Sequence, residues 1–159
     1  MDAKNTHQVF DWIWTSGQLS ETDISKLPTR GIETVINLAL PTSTPALPGE
    51  ADFVTREGMN YIQIPVEWEH PELQQLIAFF GVLKAFEGRR IWVHCAKNMR
   101  VSAFVFLYRS LCLAESEVAS SHPMQEVWVP NAIWQAFIQD ALSLRDDPAY
   151  NWAMFSRMS

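Results

Sequence analysis

With 159 residues the chain is long enough for one domain that buries about 68–70% of its unfolded surface, without disulfide or metal staples. Its 48% apolar and 19% charged content excludes disordered and fibrous classes. Twelve basic against eighteen acidic residues give a formal net charge of −6, which leaves no electrostatic footprint for nucleic acid or an anionic membrane. Any anionic ligand must therefore be held by a local positive site. Two cysteines, Cys95 and Cys112, cannot build a disulfide framework and fit a reducing compartment. Residues Met1 to His7 show no basic segment leading into an apolar stretch, so no signal peptide is expected. The longest apolar run, Ala103 to Tyr108, falls far short of the ~20 residues of a membrane span. The expectation is a soluble, cytoplasmic protein.

Taken in chain order, Ile13-Trp14-Thr15 reads as a short strand, and Ser20-Glu21-Thr22-Asp23 as a capping box opening a helix that stops at Pro28. Thr34 to Leu38 is a second strand, and Pro41 to Gly49 is a proline-punctuated loop. Glu50 to Glu57 is helical, with Gly58 ending it; Tyr61 to Val66 is the next strand. Leu73, Leu76, Ile77, Phe80, Leu83 and Lys84 carry the three-and-four spacing of a long helix from about Glu72 to Phe86, closed by Gly88. Ile91-Trp92-Val93 reads as a buried strand, and a helix runs from Asn98 to about Leu113. Two more helices are expected, Glu115 to about Val127 and Pro130 to about Leu144. Strands interleaved with helices predict an α/β fold with a central, mainly parallel sheet and a helical C-terminal third.

The chemistry concentrates in His94-Cys95-Ala96-Lys97-Asn98-Met99-Arg100-Val101-Ser102. A buried strand delivers His-Cys to a tight turn, and a helix starts at once. Backbone N–H groups of such a turn, with the helix N-terminus, form an anion cradle in which a thiolate is favoured. Arg100 offers a planar fork to two oxygens of a tetrahedral anion. Ala96 to Val101 are the candidate binding residues, and a thiolate facing a held anion points to in-line attack on phosphorus.

These residues resemble the cysteine-dependent protein tyrosine and dual-specificity phosphatases, whose signature is H-C-x5-R-[S/T]. The element order and the acidic loop after the Tyr61 strand extend the resemblance over about residues 10–145, closest to a small bacterial phosphatase-like group. The resemblance implies a dual-specificity-phosphatase-like fold, with Cys95 as nucleophile, Arg100 as phosphate clamp, His94 tuning the thiolate and Ser102 at the hydroxyl position. Arg100 follows Cys95 by five residues, where the family has six. Either one loop residue is lost, giving C-x4-R, or the Arg stands one place early, with Asn98 at the glycine position and Val101 in the Arg's seat. Asn tolerates the positive φ that such a position needs. Rhodanese-type sulfurtransferases resemble C-x-x-G-x-R and have the five-residue spacing natively, so a Cys95 persulfide stands as an alternative. An anion-binding pseudo-phosphatase is another.

Family members place an acid in the loop read here as Pro65-Val66-Glu67-Trp68-Glu69-His70-Pro71. Trp68 falls at the acid's position, leaving Glu67 or Glu69 as general acid, or both as solvated caps. Cys112 is read as core, and His7, His70, His94 and His122 give no metal-ligand spacing. No cofactor or metal is expected. The expected partner is a phosphorylated substrate or free phosphate or sulfate. Lys97 either adds charge to the anion site or faces water. The seven tryptophans are read as core and lid anchors, and Arg89, Arg90 and Arg109 as surface charges.

Overall fold

The computed structural model of the chain describes residues 1–157. Among these, five strands form one sheet: β1 (His7–Phe10), β2 (Ile13–Ser16), β3 (Ile32–Asn37), β4 (Asn60–Gln63) and β5 (Arg90–His94). Their spatial order is β1-β2-β5-β3-β4, all parallel except β1, which pairs antiparallel with β2. β5 lies at the centre, and its Ile91, Trp92 and Val93 are fully buried, as a strand covered on both faces requires. The fold is therefore α/β with a mainly parallel sheet, as expected.

Helices cover both faces. On one, α1 (Glu21–Lys26) and α2 (Glu50–Arg56) enclose Leu19, Ile24, Val35, Val54 and Trp92. On the other pack α3 (Leu73–Ala85), α4 (Met99–Leu107) and α7 (Ala132–Leu142), around Phe79, Phe80, Phe104, Tyr108 and Trp134. The capping box at Ser20 forms: its hydroxyl accepts from the Asp23 N–H at 3.0 Å, and the Ser20 N–H donates to the Asp23 carboxylate at 3.1 Å. Every residue of α4 from Arg100 to Leu107 is buried, which explains the unbroken apolar run there. α4 continues into a π-helical turn, Tyr108–Cys112. Among the described residues, no helix is long and apolar enough to cross a membrane.

Four readings of the sequence need correction. β1 was not anticipated: His-Gln-Val-Phe has no alternation, and its hairpin turns at Asp11-Trp12 without a glycine or asparagine signal. The strand expected at Tyr61 to Val66 ends at Gln63, before Pro65, which has no N–H to donate to a ladder. The helix expected over Glu115 to Val127 is two short ones, α5 (Glu117–Ser120) and α6 (Met124–Val127), because Pro123 cannot continue a helix. Arg109 is not a surface charge. Its side chain is 11% exposed, pairs with Glu115 at 2.6 Å and lies over the Phe10 ring at 4.7 Å.

Phe80 is fully buried, with the rings of Phe79, Tyr108, Trp152 and Phe155 all within 6.3 Å of its own. Truncation there removes a large apolar group from a site walled by rigid rings, which collapse poorly into the gap. Phe80→Ala is expected to cost about 3–5 kcal/mol in urea unfolding, with an unchanged slope.

Candidate active site

Register fixes where the chain leaves the sheet. His94 is the last residue of β5 and lies opposite Ser16 of β2 and Asn37 of β3, which are the last residues of their own strands. Cys95 is therefore the first residue beyond the carboxyl edge of three parallel strands, the edge where open α/β sheets bind ligands. It is 1% exposed, and its N–H donates to the Ser16 carbonyl at 3.4 Å.

The turn into α4 is completed at Asn98, which has φ 68° and ψ 3°. Asn pays less than most residues for this left-handed conformation, and its buried amide makes it specific. Nδ2 donates to the Asn5 carbonyl at 2.7 Å and to Thr15 Oγ1 at 3.0 Å, while Asn5 Nδ2 donates to the Lys97 carbonyl at 3.0 Å. The N-terminal segment thus braces the loop. The Gln18 N–H donates to the Ala96 carbonyl at 3.0 Å, and Gly17 permits this close approach, since a Cβ there would stand 2.8 Å from that oxygen. Beyond the turn, Met99, Arg100 and Val101 occupy the first helical turn, where N–H groups lack intrahelical partners and the dipole is positive.

A cavity of about 390 Å³ opens over this turn, lined by Trp68, Cys95, Ala96, Lys97, Met99 and Arg100. Arg100 is 6% exposed; its Nη1 donates to the Val66 carbonyl at 2.8 Å, and its guanidinium lies 5.9 Å from the Trp68 ring. That uses one of its five N–H donors. Trp68 belongs to a cluster with Trp128 and Trp134, at ring distances of 5.3, 5.9 and 6.1 Å. Trp134 Nε1 donates to the Trp68 carbonyl at 2.8 Å, and Trp128 Nε1 donates to Ser102 Oγ at 3.0 Å. Three aromatic rings thus fasten the Glu67–Glu69 loop to α4, and one of them, Trp68, flanks Arg100 in the cavity that Cys95 also lines.

The remaining sequence candidates fall elsewhere. The side chains of Asn98 and Val101 lie outside the cavity lining, Asn98 in the bracing network and Val101 fully buried in the core. The Ser102 hydroxyl donates to the Met99 carbonyl at 2.8 Å while accepting from Trp128, so it is occupied within its own helix. Glu67 and Glu69 are exposed and are not lining residues. Lys97 is exposed at the rim. Cys112 lies in the core, where burial pushes its thiol up to about 12. Among the described residues, no cluster of His, Cys, Asp or Glu could hold a metal ion.

Glu50 escaped the sequence reading. His94 Nε2 lies 2.6 Å from Glu50 Oε2, both side chains are nearly inaccessible, and Gln18 Nε2 donates to Glu50 Oε1 at 2.7 Å. An acidic residue opening a helix reads as a dipole cap, and no spacing signals a partner 44 residues away. Beside it, burial pushes the Tyr61 phenol up to about 12, helped by the Glu50 charge and opposed by a hydrogen bond from Asn37.

A central parallel sheet with Cys95 at its carboxyl edge, an adjoining helix N-terminus and Arg100 over the cavity define the dual-specificity-like class of cysteine-based phosphatase folds. More particularly, over residues 2–138 the sequence matches the family described as DSP-PTPase phosphatase fused to NAD+ kinase, and the chain belongs to it. A candidate phosphatase (DUF442) of Shewanella putrefaciens CN-32 is similar, with 30% identity and a TM-score of 0.80 over 89% of this chain and 93% of that one. TpbA of P. aeruginosa shares the fold at 15% identity and a TM-score of 0.72, over 92% of each chain; a second TpbA structure is a complex with pTyr. So does the core catalytic domain of the PP-IP phosphatase SIW14 of S. cerevisiae, in complex with citrate: 16% identity and a TM-score of 0.67, over 87% of this chain and 86% of that one. No curated protein matches the sequence.

If Asn98 sets the turn, its replacements should rank by what each retains. Asn98→Ala keeps a Cβ in left-handed backbone and loses both buried donor contacts, and is expected to cost about 2–4 kcal/mol. Asn98→Gly loses the contacts without the strain and should cost about 1–2 kcal/mol. Thermal and urea unfolding of the two variants check the order.

Proposed function

We propose that the chain hydrolyses phosphate monoesters through a phosphocysteine on Cys95, with the five-residue spacing from Cys95 to Arg100 as its working geometry. The observation that carries this reading is the cavity shared by Cys95, Arg100 and the N-terminus of α4. Cys95 Sγ attacks phosphorus, the S–P bond forms and the P–O bond to the leaving group breaks. Water then attacks the phosphocysteine, the S–P bond breaks and inorganic phosphate departs. Arg100, held at one nitrogen by Val66, has four N–H donors left for the phosphoryl oxygens, and the first-turn N–H groups of α4 supply the rest. Lys97 at the rim adds attraction for the incoming dianion.

Membership of a phosphatase family supports this reading, as do the pTyr and citrate complexes of its structural relatives, since both ligands are anions. The positive φ at Asn98 favours the alignment without a deletion, in which Val101 fills the Arg's seat and is buried in the core while Arg100, one place early, lines the cavity. Persulfide chemistry shares the five-residue spacing and a left-handed residue at Asn98, whereas the match to a phosphatase family spans residues 2–138.

Hydrolysis of an aryl phosphate, with mass-spectrometric trapping of phosphorylated Cys95, tests the reading. Cys95→Ser is expected to abolish turnover, and Arg100→Lys to lower it by about 10²–10³, because an ammonium cannot reproduce the fork. An active Cys95→Ser variant would overturn the proposal.

The leaving-group proton has a separate test. Glu67 and Glu69 stand in solvent outside the cavity, so we infer that the reaction favours good leaving groups that need no positioned acid. Glu67→Gln and Glu69→Gln are each expected to change aryl phosphate turnover by less than about twofold, and to leave the ratio between good and poor leaving groups unaltered. A loss of about tenfold or more confined to poor leaving groups would assign the proton to that residue.

A further inference from the structure

His94 has an acceptor at each ring nitrogen. Nδ1 faces the Cys95 carbonyl at 3.3 Å, and Nε2 faces Glu50 Oε2 at 2.6 Å. A carbonyl oxygen only accepts, so Nδ1 must carry a proton to use that contact. The second proton then lies between Nε2 and the carboxylate. Two features favour its residence on the ring. Gln18 donates to the other carboxylate oxygen at 2.7 Å, which stabilises the anionic form of Glu50. And 2.6 Å is the short separation of a charge-assisted bond. With His94 0% and Glu50 5% exposed, either charge alone would be costly to bury, so each makes the other tenable.

We propose that Glu50 is a positioning residue for Cys95: it holds His94 as an imidazolium, whose Nδ1–H fixes the Cys95 peptide and whose charge favours the thiolate. Its consequence for turnover rests on the phosphocysteine reading above; its consequence for the thiol does not. The groups around this pair leave Glu50 as the anionic partner. The neighbouring strands present uncharged Ser16 and Asn37 beside His94, and β4 presents Tyr61, whose phenol stays protonated at working pH. The loop and α4 present the cations Lys97 and Arg100, which act on the thiolate directly and are untouched by a change at Glu50.

Alkylation of Cys95 by iodoacetamide, followed against pH by peptide mapping on the full chain, reads the thiolate without any substrate. Glu50→Gln keeps the shape and an acceptor for Nε2–H but removes the charge that retains the second proton. The pH midpoint of Cys95 alkylation is expected to rise by about one unit, which is about tenfold less thiolate below the midpoint. In a His94→Asn background the same change should add nothing further, because Glu50 acts through the ring. An unchanged midpoint would overturn the proposal. So would a lowered one, which would mean that the carboxylate charge opposes the thiolate. Should Glu50→Gln fail to fold, ¹⁵N spectra of the His94 ring in the unmodified protein decide: an imidazolium signature at neutral pH supports the proposal, and a neutral ring overturns it. A raised midpoint in a protein that hydrolyses no aryl phosphate would retain the Glu50 role and reject the phosphatase reading alone.

Discussion

Between the last residue of β5 and the first of α4 the chain has four residues in which to reverse direction, and it must do so with the Cys95 side chain under a cavity. One left-handed residue, Asn98, makes this possible. Its backbone alone would tolerate glycine, but its amide also ties the turn to the end of β2 and to the N-terminal segment. The loop is therefore held by two stretches of chain, the segment at Asn5 and the end of β2 at Thr15, and packs closely against Gly17.

From above, the site is shaped by aromatic packing. Trp68 occupies the place where the family resemblance puts an acid, and it serves as a wall, packed at a tilt against Trp128 and Trp134 and under the Arg100 guanidinium. Trp134 is fully buried, Trp128 half-buried and Trp68 exposed on its outer side, and ring contacts of this kind contribute on the order of 0.5–1.5 kcal/mol each beyond area burial. That stability is spent on immobilising the loop carrying Glu67 and Glu69. Arg100 is nearly inaccessible beside this wall, with one N–H bonded to the Val66 carbonyl.

Much of this was readable in advance wherever a local rule decided the outcome. The apolar run Ile91-Trp92-Val93 could only be a covered strand, Ser20 and Asp23 form the box that their spacing predicts, and Asn98 takes the positive φ that its chemistry permits. What escaped depended on contacts between distant segments. Nothing near Glu50 signals His94, 44 residues away, and nothing near Ser102 signals that Trp128 will claim its hydroxyl. β1 escaped for a different reason: a four-residue edge strand is stabilised by its partner, and its own composition carries little signal.

The close approach at Gly17 bears on how freely the sequence can drift. This residue carries no reactive group, takes part in no proton transfer and lies outside the cavity lining, yet the Ala96 carbonyl leaves no room for even one methyl group beside it. A saturation scan scored on function would rank Gly17 with Cys95 and Arg100, and a reader of such a scan would be tempted to give it a chemical role. Its intolerance is purely volumetric. The space that its missing side chain leaves is what allows the turn carrying Cys95 to pass so close beneath the sheet's edge.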